Sequence, residues 1–120
     1  MSRKIRQGEI YTCILYGALG SEQGKQRPCL IIQNNKGNEV SPTTIVLPIS
    51  SRSKKDYPFH YSLFKKDYDF FDCEKNIVLC EQVRCVDMSR LVRKIGEVSD
   101  EDYKNIYNIY CQICKKNIDK

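Results

Sequence analysis

The chain has 120 residues, 41% of them hydrophobic and 29% charged, a balance that suits one folded domain over residues 1–120 and excludes a disordered tail. Twenty Lys and Arg against 15 Asp and Glu leave a formal net charge of +5, a modest excess that fits an anionic partner without defining one. No apolar run approaches the ~20 residues that span a bilayer, and the basic start Met1–Gln7 has no apolar stretch behind it, so the expected location is the cytoplasm, with no membrane association.

In chain order, the first expected strand is Glu9 to Leu15. It alternates, with Ile10, Thr12 and Ile14 on one face and Tyr11, Cys13 and Leu15 on the other. Tyr16 to Gln26 reads as a long loop, and Pro28 to Gln33 as an apolar strand buried on both faces. Asn34 to Thr43 is rich in turn residues, and Thr44 to Ile49 is a third strand. A polar loop, Ser50 to Tyr57, leads to a fourth strand near Pro58 to Phe64. Asn76 to Val86 supplies one or two more. A short helix is expected near Met88 to Val92, with Asp87 as N-cap. The long helix begins after Ser99, where Ser99-Asp100-Glu101-Asp102 resembles a capping box with Asp at its last position. Tyr103, Ile106, Tyr107, Tyr110, Ile113 and Cys114 recur every three or four residues as its packing stripe. Strands first and a helix last predict a mostly β fold, a barrel-like, strongly bent antiparallel sheet with a C-terminal α-helix.

Seven cysteines occur at 13, 29, 73, 80, 85, 111 and 114. The odd count without an export signal predicts reduced thiols. Cys13, Cys29, Cys80 and Cys85 lie in apolar, strand-like runs and are expected to pack as small hydrophobes. Cys111 and Cys114 form a C-x-x-C, but no second ligand pair has suitable spacing and His60 is the single histidine. Neither a metal site nor a cofactor is expected.

The densest chemistry lies in Gly20-Ser21-Glu22-Gln23-Gly24-Lys25-Gln26-Arg27-Pro28, a loop that runs straight into Cys29-Leu30-Ile31-Ile32. A guanidinium at the mouth of a strand offers a planar pair of donors that fits a phosphate. On residue types alone, an ordinary polar connection with a surface Arg is the commoner arrangement.

The order of several short strings is more specific. Gln7-Gly8-Glu9-Ile10-Tyr11, the Gly20–Pro28 loop, Leu30-Ile31-Ile32-Gln33-Asn34, Ser41-Pro42-Thr43-Thr44-Ile45-Val46 and Glu81-Gln82-Val83-Arg84 follow one another with characteristic spacing. From Arg6 to about Lys115 the chain resembles the MazF/PemK family of toxin endoribonucleases, its Gram-positive branch in particular. The resemblance implies the toxin barrel shared with CcdB-type proteins, a homodimer, and metal-independent, sequence-specific cleavage of single-stranded RNA. It also implies neutralisation by a MazE-like antitoxin, with DNA bound only through the antitoxin complex. It carries the family's catalytic Arg onto Arg27 and its catalytic Thr onto Ser50, with Ser51 as the alternative. Ser keeps the hydroxyl but lacks the methyl that restricts χ1. Glu22 is the supporting acid, orienting Arg27 or moving a proton.

Ser21, Gln23, Lys25, Arg52, Lys54, Lys55 and Tyr57 lie on the two loops expected to flank the site and are the candidate RNA contacts, with Tyr16 a further stacking residue. Arg84 is expected to support either the site or a dimer interface. The competing readings are a CcdB-like toxin that binds a protein such as gyrase, and an inactive RNA-binding relative.

Overall fold

The structure is a computed structural model that describes residues 4–16, 25–52 and 56–117. Its strands are β1 Glu9–Leu15, β2 Lys25–Ile31, β3 Thr43–Ser50, β4 His60–Phe64, β5 Lys75–Leu79, β6 Arg84–Asp87 and β7 Leu91–Glu97. Two α-helices, α1 Asn35–Val40 and α2 Asp100–Cys114, interrupt and close the series. All strands join one antiparallel sheet in the order β4-β5-β3-β2-β1-β7, with β6 paired to β3 off this path. This is the mostly β fold with a C-terminal helix that the sequence predicts.

β3 is the hub. One edge pairs with β2 over Val46–Pro48. The other pairs first with β6 over Thr43–Val46 and then with β5 over Ile49 and Ser50. Because neighbouring side chains alternate between faces, this strand feeds two separate cores. Ile10, Leu30, Leu47 and Ile49 pack in one cluster with Ile106 of α2. Tyr11, Cys13, Cys29, Ile31 and Val46 pack in the other with Ile5, Val86 and Leu91. Burying each such Ile or Leu is worth about 1.5–3 kcal/mol, so both faces of the central strands are pinned in register.

Several elements differ from expectation. The turn-rich stretch after β2 folds into α1, because the Asn34 side chain accepts the Gly37 N–H at 2.8 Å and caps it. Asn38 is buried there, where its amide donates to the Gln33 carbonyl at 3.0 Å and its oxygen accepts from Thr44 Oγ1 at 2.6 Å. β2 starts at Lys25, whose φ of 62° is left-handed, an uncommon conformation for a residue with a Cβ. The expected helix near Met88–Val92 is one 3-10 turn, Met88–Arg90, capped by Asp87 accepting the Ser89 N–H at 2.9 Å. The chain then enters β7, a strand that the sequence pattern does not predict.

Ser99 caps α2 as expected, its hydroxyl accepting the Asp102 N–H at 3.1 Å. The reciprocal half of the box is replaced: the Ser99 N–H donates to the Tyr68 hydroxyl at 3.0 Å, and Asp102 accepts from both Tyr61 and Tyr68. On the expected stripe Ile106 is buried and Tyr103 and Tyr110 are half-buried, but Tyr107 and Ile113 are exposed, and Ile109 packs against the core instead. Cys13, Cys29 and Cys80 are buried, whereas Cys85 is exposed; it sits on short β6, where alternation turns it outward between Arg84 and Val86.

Candidate active site

Arg27 is half-buried near the start of β2, after exposed Lys25 and Gln26 and before buried Cys29. In the β1–β2 register it pairs directly with Cys13, and Pro28 pairs with Thr12. The β2–β3 pairing ends at Cys29↔Pro48. Carried on by two residues, that register sets Ser50 across from Arg27 on the same face of the sheet. Pro28 has no N–H to donate, which fits the end of the pairing.

A cleft of about 300 Å³ opens beside this point. Arg27, Gln26 and Pro28 line it from β2, Thr12 from β1, and Arg93 and Ile95 from β7. Ile49 and Ser51 line it from β3 and the residue that follows, and Phe70, Phe71, Asp72, Cys73 and Asn76 close the opposite wall. Its chemistry is two guanidiniums, hydroxyl and amide groups, one carboxylate and a pair of aromatic rings. The pairings put Thr12, Pro28 and Arg93 on one face of the sheet and Arg27, with Cys13, on the other, so Arg27 borders this cleft without sharing a face with Arg93. A larger cleft, about 590 Å³ between the N-terminal segment, α1 and Met88–Ser89, lies away from Arg27.

The two candidate hydroxyls are placed differently. Ser50 is fully buried, and its Oγ accepts the Arg52 N–H at 3.2 Å. A hydroxyl that accepts one bond keeps its own proton to donate. Ser51 is exposed and lines the cleft with Arg27.

Lys25 and Arg52 are exposed at the head of β2 and beyond the end of β3. Tyr57 is exposed and stacks on Phe59 with ring centroids 4.9 Å apart, and Tyr16 is exposed at the end of β1. Ser21, Glu22, Gln23, Lys54 and Lys55 lie outside the described residues. Thr12, Gln26, Phe70, Phe71, Asp72, Asn76 and Arg93 are cleft residues that sequence reasoning missed. Leu91–Glu97 shows no alternation of burial, so no local pattern marks Arg93, and Phe70 and Phe71 reach the cleft only through packing.

His60 is not poised as a base. Its side chain is 8% exposed, its Nε2 lies 3.1 Å from Glu81 Oε1, and its Nδ1 is buried with no hydrogen-bond partner among the described residues. Tyr57 and Phe59 pack their rings on it edge to face.

The crystal structure of MazF from Deinococcus radiodurans matches this fold with a TM-score of 0.79 at 22% identity, over 93% of this chain and 97% of that one. A mycobacterial endoribonuclease in complex with its cognate antitoxin matches with a TM-score of 0.73 at 17% identity, over 90% and 92% of the two chains. The fold is thus that of the MazF toxins. In sequence, the endoribonuclease MazF of Staphylococcus saprophyticus is 39% identical over 105 residues, which is 87% of this chain and 86% of that protein. A model of the PemK-like, MazF-like toxins of type II toxin–antitoxin systems matches residues 6–113. The chain belongs to that toxin family.

Proposed function

We propose that this chain, a MazF-type toxin endoribonuclease, cuts single-stranded RNA at a short sequence by using the RNA's own 2′-hydroxyl as nucleophile. The 2′-oxygen loses its proton and bonds to the adjacent phosphorus. The bond from phosphorus to the 5′-oxygen breaks, and that oxygen takes a proton. The products are a 2′,3′-cyclic phosphate and a 5′-hydroxyl. A nucleophile supplied by the substrate does not need a metal to generate it.

The protein's task is to hold the phosphate and neutralise the charge that builds on its non-bridging oxygens. Arg27 supplies two parallel donors for this, fixed in direction by the buried β1–β2 ladder. Ser50 supplies a third donor on the same face. It is closed to solvent, so its contact with phosphate requires the segment that begins at Ser51 to shift. Ser51, already at the cleft, is the alternative. Glu22 is the supporting acid that orients Arg27 or carries a proton. Arg52, Lys25, Lys54 and Lys55 attract the backbone, Ser21 and Gln23 contact bases, and Tyr57 offers a face for stacking.

The observation that supports this reading is that Arg27, the family's Arg-Pro arginine, stands on the β1–β2 ladder with Ser50 across from it on the same face, at the border of a cleft. The toxin acts as a homodimer in the cytoplasm, a MazE-like antitoxin silences it, and DNA is bound only through that complex. The test is incubation of long, mixed-sequence single-stranded RNA with purified protein in EDTA, followed by mapping of the ends. Defined cuts with cyclic phosphate and 5′-hydroxyl ends are expected. Ends bearing a 5′-phosphate would overturn the mechanism.

A further inference from the structure

Two turns meet at the far side of the sheet from β1. The His60 backbone N–H donates to the Tyr57 carbonyl at 3.1 Å, closing the turn Tyr57-Pro58-Phe59-His60 that leads into β4. The Gln82 backbone N–H donates to the Leu79 carbonyl at 3.1 Å, closing the turn that carries Glu81 away from β5. One side-chain contact spans the two turns: His60 Nε2 donates to Glu81, 3.1 Å from Oε1 and 3.3 Å from Oε2. The register fixes where this pair lies. His60 pairs with Leu79 and Ser62 with Ile77, and Ile77 also pairs with Ser50, which stands across from Arg27. Direct partners and alternate residues share a face, so His60 lies on the same face as Ser50 and Arg27, three strand spacings or roughly 14 Å along the sheet from β2.

The pair holds an aromatic unit. Tyr57 and Phe59 stack with their ring planes 13° apart, and each meets the His60 imidazole edge to face, with centroids 5.1 and 4.9 Å away. Phe59 covers one side of the Tyr57 ring, while Tyr57 as a whole stays 42% exposed. The imidazole sits inside the unit, and its Nδ1 is buried with no hydrogen-bond partner among the described residues. A position that served packing alone would suit an apolar ring, which has no buried nitrogen to leave unmet. What the imidazole adds over such a ring is its bond to Glu81, which ties the stack to the end of β5 as well as to β4.

We propose that His60 is a positioning residue for RNA binding: through Glu81 it holds the Tyr57–Phe59 stack as a preformed face on which one unpaired base of the substrate lies. This role rests on the RNA-cleaving function proposed above and extends it to Phe59, His60 and Glu81. A base that meets a ring already held in place binds without the cost of ordering that ring. Every base has a π-face, so stacking here adds affinity at a nucleotide flanking the cut and leaves the choice of sequence to other contacts. His60 touches neither the phosphate nor the nucleophile. Its effect therefore falls on binding and not on the chemical step.

The experiment uses the full-length protein and a short single-stranded RNA containing the site that the parent cuts. Steady-state cleavage gives KM and kcat, and titration with the same RNA carrying a 2′-deoxy sugar at the cut gives Kd without turnover. The chain has no tryptophan, so Tyr57→Trp supplies a single indole whose fluorescence is quenched by a stacked base. His60→Ala and Glu81→Gln, checked for folding by circular dichroism, are each expected to raise KM and Kd about fivefold or more and to leave kcat within about twofold. In the Tyr57→Trp protein each should abolish the quenching. The double variant should be no weaker than the weaker single one, because the two residues act as a unit. His60→Gln, which keeps a donor for Glu81, should recover part of the affinity lost in His60→Ala. If His60→Ala does not fold, Glu81→Gln decides. Folded variants with the parent's KM and quenching overturn the proposal, and so does a fall in kcat at unchanged KM. A parent that neither binds nor cuts single-stranded RNA overturns the proposed function as well, and is distinguished by failing before any substitution is made.

Discussion

Cys13 and Arg27 are direct partners in the β1–β2 ladder, so the candidate catalytic cation stands on a fully buried base. Cys29 and Leu30, which follow it along β2, are also fully buried. A side chain mounted on paired strands is held more precisely than one on a loop. Precision matters here because a donor aimed at developing charge loses most of its effect when displaced by about 1 Å.

Ser50 and Ser51 are adjacent but sit in opposite surroundings, one buried and one on the cleft. Ser50→Ala should lower kcat about 10²–10³-fold, the usual effect of deleting one transition-state donor. Ser51→Ala should change it less than tenfold. Single-turnover cleavage of a short RNA containing the mapped site measures both. The reverse ranking transfers the role to Ser51.

Gly96 of β7 lies under the Phe70 ring, and a Cβ at that position would come within 2.3 Å of a ring carbon. Phe70 also lines the cleft. Gly96→Ala should therefore destabilise the fold by about 1–3 kcal/mol, the range for overpacking, and weaken RNA binding as the ring is displaced. Urea unfolding and RNA titration read the two effects. A variant as stable as the parent with unchanged affinity would contradict this placement of the aromatic wall.

Asp102 joins the start of α2 to the sheet side of the domain, accepting from Tyr61 at 2.5 Å and from Tyr68. Hydrogen bonds to a charged acceptor contribute about 1.5–3 kcal/mol, so Asp102→Ala should lose at least that much stability in urea while Tyr61→Phe loses less. A loss below about 0.5 kcal/mol would mean that the Ser99 cap and the apolar face of α2 hold the helix without this clasp.

Alkaline pH should weaken the fold. Burial pushes the Tyr103 hydroxyl from 10.0 up to about 12 and the Cys80 thiol from 9.0 up to about 12. The folded state thus holds protons that the unfolded chain has released. Stability from Cys80 is complete below pH 9 and lost as pH rises toward 12; that from Tyr103 is complete below pH 10 and lost over the same approach. Melting temperature should fall between pH 9 and pH 11.5, and Tyr103→Phe with Cys80→Ala should flatten the fall. An equal slope in the double variant would place the linkage on other groups.

Much of the fold was legible because the central strands obey alternation: Glu9–Leu15 appears with its expected bounds and its two faces feed two cores. β7 was hidden because it is an edge strand with two register irregularities against β1, which leaves its sequence mixed. α1 was hidden because Asn34 reads as a turn residue, and its capping bond to Gly37 is what makes it a helix start. At the site, the Gly20–Pro28 string marked Arg27. Phe70, Phe71 and Arg93 reach the cleft only through tertiary packing, which no local pattern encodes.

The most direct test of the central claim is cleavage of mixed-sequence single-stranded RNA by the Arg27→Ala variant beside the parent protein, with folding and oligomeric state checked in both. The account predicts a variant that is folded like the parent and cuts at least 10²-fold more slowly. A folded variant that cuts at close to the parent rate would contradict the assignment of Arg27 and with it the cleft as the active site.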